Sequence, residues 1–260
     1  MKLIWASDVH LNFLNEAFRL EFYESIKKAQ GDAVIISGDI AGSHNVAHII
    51  TEMSDAVGIP VYFVLGNHDY YGSPIKDVKN SVSHLNYLPK EMVPLSDTTI
   101  LIGVDGWGDC RNGDYDNSRM VMSDWIHIKD LNIPYMKGKE ALKIKLQELA
   151  DKDASLLKRY VKDAIKKGYT KIIIVTHVPA FEEASLYAGR KSGPDGLPFF
   201  SSKCLGDSIL PLAKSAPKVD FLWLSGHTHS RAKYKPCNNM TVKVAKSEYY
   251  LPQIEECFNV

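Results

Sequence analysis

Gly66-Asn67-His68-Asp69 follows directly on the apolar run Val61–Leu65. Polar residues that end a β-branched or aromatic run lie just past the carboxyl end of a strand. Four further runs end in the same way: Leu3–Ser7 before Asp8-Val9-His10, Ala33–Ser37 before Gly38-Asp39, Lys171–Val175 before Thr176-His177, and Phe221–Ser225 before Gly226-His227-Thr228-His229. Since sites in open α/β sheets assemble at that edge, we predict that these five segments converge.

Helical patterns separate the first three of these runs. Phe18, Phe22 and Ile26 recur at helical spacing near Asn15–Gln30, and a second helix is predicted from Ser43 to Gly58. The resulting β-α-β-α-β order predicts parallel strands joined by right-handed crossovers. Near the end of the chain, the weak alternation of Thr241–Ala245 predicts an antiparallel strand.

The chain is predicted to form one domain over residues 1–260. At 260 residues and 45% apolar content it can bury a full core, and it has no internal repeat or linker. Residues from about 105 to 137 mix glycine, aromatic and charged side chains without periodicity. A segment that long with little regular structure is more often functional than not, so we predict an irregular insertion that forms part of a substrate pocket.

Composition excludes several classes of protein. The charges of the 31 basic and 31 acidic residues cancel, so no global field attracts nucleic acid or an anionic membrane. We therefore do not expect nucleic acid as a partner. No apolar run approaches the roughly 20 residues that a spanning helix needs. The N-terminal run is too short for a signal peptide, and the four cysteines are scattered. These features predict a cytoplasmic protein without membrane contact.

The polar residues at the strand ends suit a pair of divalent cations. Two such ions about 3.5–4 Å apart can orient an attacking hydroxide and neutralise a phosphoryl displacement. The donors at the strand ends are carboxylate, amide and imidazole groups: Asp8, His10, Asp39, Asn67, His177, His227 and His229. Mixed ligands of this kind accept manganese, iron or zinc.

In this order, D-x-H, G-D, G-N-H-D, a strand-terminal histidine and G-H-T-H resemble the calcineurin-like metallophosphoesterase family over about Met1–Ser230. The resemblance implies an α/β fold with two mixed β-sheets packed as a sandwich and flanked by helices, in four αββα layers. It also implies that Asp39 bridges two metal sites. The implied ligands are Asp8, His10, Asp39 and His229 for one ion, and Asp39, Asn67, His177 and His227 for the other. By the same resemblance, His68 is catalytic and protonates the leaving group or holds a phosphoryl oxygen.

One departure from the family bears on the substrate. The protein-phosphatase branch has G-D-x-V-D-R-G, whereas this chain has Gly38-Asp39-Ile40-Ala41-Gly42-Ser43 and lacks the second acid and the arginine. The two histidines of Gly226-His227-Thr228-His229 resemble the phosphodiesterase side of the family. The expected substrate is therefore a small phosphodiester or phosphomonoester. Two alternatives stay open, a non-catalytic metal-binding scaffold of the same fold and a nuclease.

Other residues have less specific patterns. Asp69 can orient His68 or satisfy backbone groups of its loop. Arg190, Lys191 and Arg231 can recruit phosphate or remain solvated. His44 and His48 stand four apart on a helix, but they lack the glutamate of a zinc-protease motif. Candidates for a substrate wall, or for the core, are Tyr70, Tyr71, Trp107 and Arg111.

Overall fold

The computed structural model of the chain describes all 260 residues. Its strands are β1 (Lys2–Ala6), β2 (Ala33–Ser37), β3 (Val61–Val64), β4 (Val93–Pro94), β5 (Thr99–Gly103), β6 (Lys171–Val175), β7 (Leu186–Tyr187), β8 (Arg190–Lys191), β9 (Asp220–Ser225), β10 (Ala232–Cys237), β11 (Met240–Val244) and β12 (Glu256–Asn259). Its helices are α1 (Glu16–Lys28), α2 (Val46–Val57), α3 (Ile75–Ser81), α4 (Asp124–His127), α5 (Lys129–Met136), α6 (Lys139–Lys166), α7 (Leu197–Phe200) and α8 (Lys203–Ser215).

The strands form two main sheets of mixed direction. The first has the order β12-β1-β2-β3, in which only β12 is antiparallel to its neighbour. The second has the order β10-β11-β9-β6-β5-β4, with antiparallel pairs at both edges and parallel pairs between them. β7 and β8 form a separate hairpin. The strands that precede the five polar segments are therefore parallel within their own sheet.

Side-chain alternation along the strands builds four layers. Trp5 of β1 and Ile173 of β6 belong to one buried cluster that lies between the two sheets. Their sequence neighbours point the other way: Ile4 packs in a cluster with the helices beside the first sheet, and Ile172 in a cluster with those beside the second. Because successive strand residues face opposite sides, each sheet buries both faces. This arrangement confirms the predicted α/β sandwich flanked by helices.

Two details differ from the sequence-based expectations. The strand predicted to be antiparallel is β11, which is antiparallel to β10 but pairs in parallel with β9. The local alternation reflects only the hairpin with β10, because the pairing with β9 depends on a long-range connection. In α1, Phe22 and Ile26 are buried as their spacing suggests, whereas Phe18 is 55% exposed.

A buried carboxylate, Asp105, joins the two halves of the sandwich. It follows β5, accepts the backbone N–H of Leu65 at 2.8 Å, and accepts the hydroxyls of Tyr70 and Tyr87 at 2.6 Å each. Lys79 of α3 pairs with the same carboxylate at 2.8 Å. Burial lowers the pKa of Lys79, but the charges of Asp105 and Asp153 and the hydrogen bond to Asp105 together outweigh burial and raise that pKa to about 12. The lysine is therefore charged, and Asp105 is its direct ion-pair partner.

We expect Asp105→Ala to lower the free energy of unfolding by about 3–5 kcal/mol, because it leaves the ammonium of Lys79 and three donors without their acceptor. Urea denaturation followed by circular dichroism measures the change. Asp97→Ala, at an exposed position, is the matched control and should change the free energy by less than about 0.5 kcal/mol. A loss below about 1 kcal/mol for Asp105→Ala would show that the network does not stabilise the junction.

Candidate metal centre

The five polar segments meet at one edge of the sandwich. The segments after β1, β2 and β3 come from the first sheet, and those after β6 and β9 come from the second. Backbone hydrogen bonds join them, since Asp8 N–H donates to the Gly38 carbonyl at 3.0 Å and Gly226 N–H donates to the His177 carbonyl at 2.9 Å. The convergence that the strand ends predicted is therefore present.

The backbone of this edge is strained. Five of the seven candidate ligands have positive φ angles, a conformation that costs non-glycine residues roughly 1–3 kcal/mol each. They are Asp8 (50°), His10 (42°), Asp39 (52°), His227 (70°) and His229 (52°). Strain concentrated in this way is typical of functional sites, where packing holds the backbone in place.

Asp39 lies between two sets of side chains whose lone pairs could bind a metal ion. Its Oδ1 is 3.5 Å from His177 Nε2, and its Oδ2 is 3.8 Å from His10 Nε2. The backbone N–H of His68 donates to Oδ1 at 2.8 Å and fixes the carboxyl group. Burial and the charge of Asp8 raise the pKa of Asp39 well above its usual range. A carboxylate in this position has one oxygen for each set and no cationic side chain beside it.

The first set contains Asp8, His10, Asp39 and His229, with ligand atoms that all lie within 4.8 Å of one another. Both ring nitrogens of His10 are buried and have no hydrogen-bond partner. Burial lowers the pKa of His10 to about 3, so the ring is neutral at pH 7 and offers a lone pair. Such a buried, unpartnered imidazole is costly unless a cation accepts that lone pair.

Asp8 and His229 complete this set as a hydrogen-bonded pair, with 3.2 Å between Asp8 Oδ1 and His229 Nε2. Burial raises the pKa of Asp8, but the hydrogen bond of His229 and the histidine charges outweigh it and lower that pKa below its usual value. For His229, burial lowers the pKa, yet the interactions with Asp8 raise it overall. Asp8 and His229 therefore share a proton, and a cation that displaced it would meet two deprotonated ligands.

The second set brings three lone pairs together. His177 Nδ1 lies 2.9 Å from the Ser37 carbonyl and His227 Nε2 lies 3.2 Å from the Phe199 carbonyl, so in the neutral rings these nitrogens carry the protons. The other nitrogens, His177 Nε2 and His227 Nδ1, then face each other at 3.2 Å. Both also face Asn67 Oδ1, at 2.9 and 3.1 Å.

Acceptors that face each other repel unless a cation lies among them. The Asn67 amide cannot relieve this by turning over, because its Nδ2 donates to Asp124 Oδ1 at 2.8 Å. Burial lowers the pKa of His227 to about 3, which disfavours relief by protonation. The donors of both sets therefore fit divalent cations, with Asp39 placed to contribute to both.

Two glycines leave room for the carboxyl groups of Asp39 and Asp8. A Cβ at Gly66 would overlap Asp39 Oδ1 and the Asp39 nitrogen, and a Cβ at Gly226 would overlap Asp8 Oδ2. Gly66 and Gly226 both belong to the motifs that the sequence singled out, so each motif supplies a ligand and the clearance for a ligand of another segment.

His68 lies at the mouth of the site. Its ring stacks on Tyr71 with a centroid distance of 4.5 Å, packs edge-on against His10 at 4.7 Å, and has Nε2 4.0 Å from Asp39 Oδ2. Burial and the charge of His177 lower the pKa of His68 to about 4. Its side chain is 23% exposed, so a molecule bound at the mouth can reach the imidazole.

Asp69, in contrast, accepts hydrogen bonds from backbone groups of two segments. It accepts the N–H groups of Ile40 at 2.9 Å, Ala41 at 2.7 Å and Gly66 at 2.8 Å. These bonds hold the segment after β2 against the segment after β3. Of the two roles that the sequence left open, the structure has the backbone one.

A cleft of about 330 Å³ opens over the site. Its walls include Tyr71, Tyr187, Phe200 and Tyr249, and its lining residues include no lysine or arginine. The segment from 105 to 137 contains the helices α4 and α5, so it is less irregular than predicted. Its part in this cleft is a short run, residues 121–124.

Several candidates lie elsewhere. Tyr70 and Trp107 are buried behind the site, and Arg111 pairs with Asp109 at 3.2 Å and Asp151 at 2.8 Å. Among the other basic candidates, Lys191 pairs with Glu182 and Arg231 with Glu255, while Arg190 is an exposed residue of β8. The side chain of His48 is 76% exposed and lies 3.9 Å from Glu52. His44 and His48 belong to no group of side chains that could hold a metal.

Sequence reasoning missed two residues of the site. Asp124 orients the Asn67 amide and also accepts the Tyr71 hydroxyl at 2.5 Å, and Tyr249 packs on His10 with a centroid distance of 4.5 Å. Both come from segments without periodicity, so no local pattern marks them. The adjacent aromatic residues Tyr249 and Tyr250 in a polar segment were the only available signal.

Comparisons with known proteins agree with this geometry. A family model described as calcineurin-like phosphoesterase matches residues 1–231. No curated protein matches the sequence.

Several solved structures are similar to this chain. A dimetal phosphatase from Danio rerio has a TM-score of 0.61 and 14% identity, covering 95% of this chain and 87% of its own. A phosphopantetheinyl hydrolase from Mycobacterium tuberculosis has a TM-score of 0.57 and 13% identity, covering 95% and 89%. A protein from Thermus thermophilus has a TM-score of 0.53 and 13% identity, covering 94% and 88%. At these identities the likeness shows the shared fold. In addition, no helix of this chain combines the length and hydropathy needed to cross a membrane.

The clearance at Gly66 leads to a test of the site. We expect Gly66→Ala to weaken Mn²⁺ binding about 10- to 100-fold, because the added methyl displaces the Asp39 carboxyl group and the effect of a misplaced ligand is of that size. Isothermal titration of the metal-free protein measures the affinity. Gly193→Ala, where the methyl meets open space, is the control and should bind as the unmodified chain does. Equal affinities for both variants would rule out a metal at Asp39.

Proposed function

The chain belongs to the calcineurin-like phosphoesterase family, and from this premise we propose that it hydrolyses a small phosphodiester with the help of two divalent metal ions. As a member of this family it is a metal-dependent hydrolase of phosphoesters. The further details, namely the ligands of each ion, the role of His68 and the preference for a diester, are our proposal.

One observation carries the proposal: Asp39 lies between two sets of lone-pair donors. We assign Asp8, His10, Asp39 and His229 to one ion and Asp39, Asn67, His177 and His227 to the other. The unpartnered ring of His10 and the facing lone pairs around Asn67 Oδ1 support this division. When bound, the two cations would supply the attacking hydroxide and neutralise charge on the phosphoryl group. Manganese, iron and zinc all suit these ligands.

The side chains of the protein do the remaining work. We propose that the anionic substrate favours the protonated form of His68, which then donates a proton to the leaving oxygen or a hydrogen bond to a phosphoryl oxygen, because His68 stands at the mouth of the site next to Asp39. The stack with Tyr71 and the contact with His10 fix its ring. In the reaction a new P–O bond forms to the oxygen of water, the ester P–O bond breaks, and the leaving alcohol takes up a proton.

The charge of the cleft supports a diester rather than a monoester. A phosphomonoester carries a charge near −2 at pH 7, whereas a diester carries −1. Apart from the two proposed cations, the lining of the cleft has no lysine or arginine to bind a second phosphoryl charge, and it contains the carboxyl groups of Asp39 and Asp124. The same lack of cations, together with the balanced net charge, disfavours the nuclease alternative, because backbone phosphates are bound by basic side chains.

Paired assays test this proposal. We expect the Mn²⁺-loaded protein to hydrolyse bis(p-nitrophenyl) phosphate at least about tenfold more efficiently, by kcat/KM, than p-nitrophenyl phosphate, because the diester carries less charge. Asp39→Asn should lose activity towards both esters, while Asp55→Asn at an exposed position of α2 should lose none. A preference for the monoester would contradict the diester assignment. The absence of all hydrolysis would favour the scaffold alternative.

A second test concerns His68. We expect His68→Ala to lower kcat for bis(p-nitrophenyl) phosphate by about 10²–10⁴-fold, the usual contribution of a proton-donating side chain. Metal content, measured by plasma emission spectroscopy, should remain that of the unmodified protein, because His68 is outside both ligand sets. His48→Ala, an exposed histidine, is the control. Unchanged turnover in His68→Ala would remove His68 from the reaction.

A further inference from the structure

A second, larger cavity lies beside the cleft. It has a volume of about 660 Å³ and lies between α1 and the segment 250–253. Most of its lining is apolar or aromatic, and Glu21 is the only charged residue there. The apolar side chains of the groove are Phe13, Leu14, Phe18, Phe22, Tyr250 and Leu251. We call this cavity the α1 groove.

Several apolar residues of the α1 groove are largely exposed to solvent. Phe18 is 55% exposed, Tyr250 64% and Leu251 61%. Phe18 shares the spacing of the buried residues Phe22 and Ile26, so α1 could bury it but does not. Large exposed apolar patches commonly mark binding sites for ligands or partners. A volume of 660 Å³ is in the usual range of small-molecule pockets.

Aromatic rings connect the α1 groove to the metal centre. The ring of Phe13 lies 5.8 Å from His10 and 5.7 Å from Tyr250, so one residue borders both the candidate ligand and the groove. Tyr249 packs on His10 at 4.5 Å and on Phe13 at 5.8 Å, and it also lines the cleft over the metals. The Ser247 hydroxyl donates to the Asp8 carbonyl at 2.7 Å and ties this segment to the site.

We propose that the α1 groove binds an uncharged, apolar arm of the phosphodiester substrate, an inference that rests on the proposed hydrolase function. A diester has two arms, of which one leaves and the other stays on the phosphorus. With the phosphoryl group at the metal centre, an arm that runs over the exposed faces of Tyr249 and Phe13 would reach the groove, because these two rings lie between the cleft and the groove. An anionic arm would be repelled by Glu21, and a cationic arm would find only that one exposed carboxylate, whereas an apolar arm contacts most of the lining. The substrate class is therefore an amphiphilic phosphodiester with an alkyl chain or a similar apolar group.

A series of p-nitrophenyl alkyl phosphodiesters, from methyl to octyl, tests the inference at concentrations where the esters are monomeric. The leaving group is constant, so only the retained arm varies. We expect kcat/KM of the Mn²⁺-loaded protein to rise by about threefold to fourfold for each methylene that enters the α1 groove. Leu251→Ser and Phe18→Gln should flatten this dependence and leave the methyl ester unaffected. Ile144→Ser, which removes an equally exposed aliphatic residue from α6, should behave as the unmodified protein.

Binding gives a second readout that does not depend on turnover. Octyl methylphosphonate, a monoanion that carries one alkyl arm and has no good leaving group, should bind the Mn²⁺-loaded protein at least about tenfold more tightly than ethyl methylphosphonate. Isothermal titration measures both affinities, and Leu251→Ser should remove the difference.

The outcomes separate the two proposals. If none of the esters is cleaved, the proposed hydrolase function fails. If all esters are cleaved with the same kcat/KM, or if Leu251→Ser retains the full dependence on chain length, only the α1 groove inference fails. The inference is also overturned if sedimentation velocity shows a dimer that Phe18→Gln dissociates, since a second copy of the chain would then cover the groove.

Discussion

The structure depends on the placement of one buried carboxyl group between two sets of nitrogen and oxygen lone pairs. Asp39 has a raised pKa because burial and the charge of Asp8 both oppose its ionisation. On one side the His10 ring has no hydrogen-bond partner, and on the other the Nδ1–H of His177 faces the Ser37 carbonyl, so the Nε2 of His177 offers Asp39 a lone pair and not a proton. Divalent cations resolve both problems together, because they compensate the carboxylate and accept the lone pairs. In the proposed function, stability and chemistry at this edge would therefore depend on the same ions.

The sandwich makes this placement possible. The first sheet supplies the segments after β1, β2 and β3, and the second supplies those after β6 and β9, so neither sheet alone contains both sets of ligands. The apolar cluster between the sheets fixes their relative position. Asp105 adds a polar link at the site itself, because its carboxyl group accepts the Leu65 N–H and its carbonyl accepts the His177 N–H at 2.7 Å. The backbone strain of five ligands is tolerable only on such a fixed support.

The sequence allowed the parallel strands, their polar ends and the candidate ligands to be predicted, because each is a local pattern of apolar run and polar stop. The direction of β11 relative to β9 was not predictable from local sequence. It depends on the pairing of Met240 with Phe221, which lie 19 residues apart in the chain. Asp124 and Tyr249 lacked any periodic context. The exposure of Phe18 was not predictable either, because spacing shows which residues share a helix face and not which of them the rest of the chain covers.

The absence of cationic side chains from the cleft has a consequence for the order of binding. Without the ions, a phosphoester approaching the site meets the carboxyl groups of Asp39 and Asp124 and no lysine or arginine. In the proposed function, bound metal would supply the positive charge that the lining lacks, so we expect metal binding to precede substrate binding. The aromatic rings of Tyr71 and Tyr249 on the walls cannot replace that charge, but they can bind the uncharged parts of a substrate. In the proposed function, the metals would therefore recognise the charged phosphoryl group, and the apolar contacts beside them would recognise an uncharged part of the same substrate.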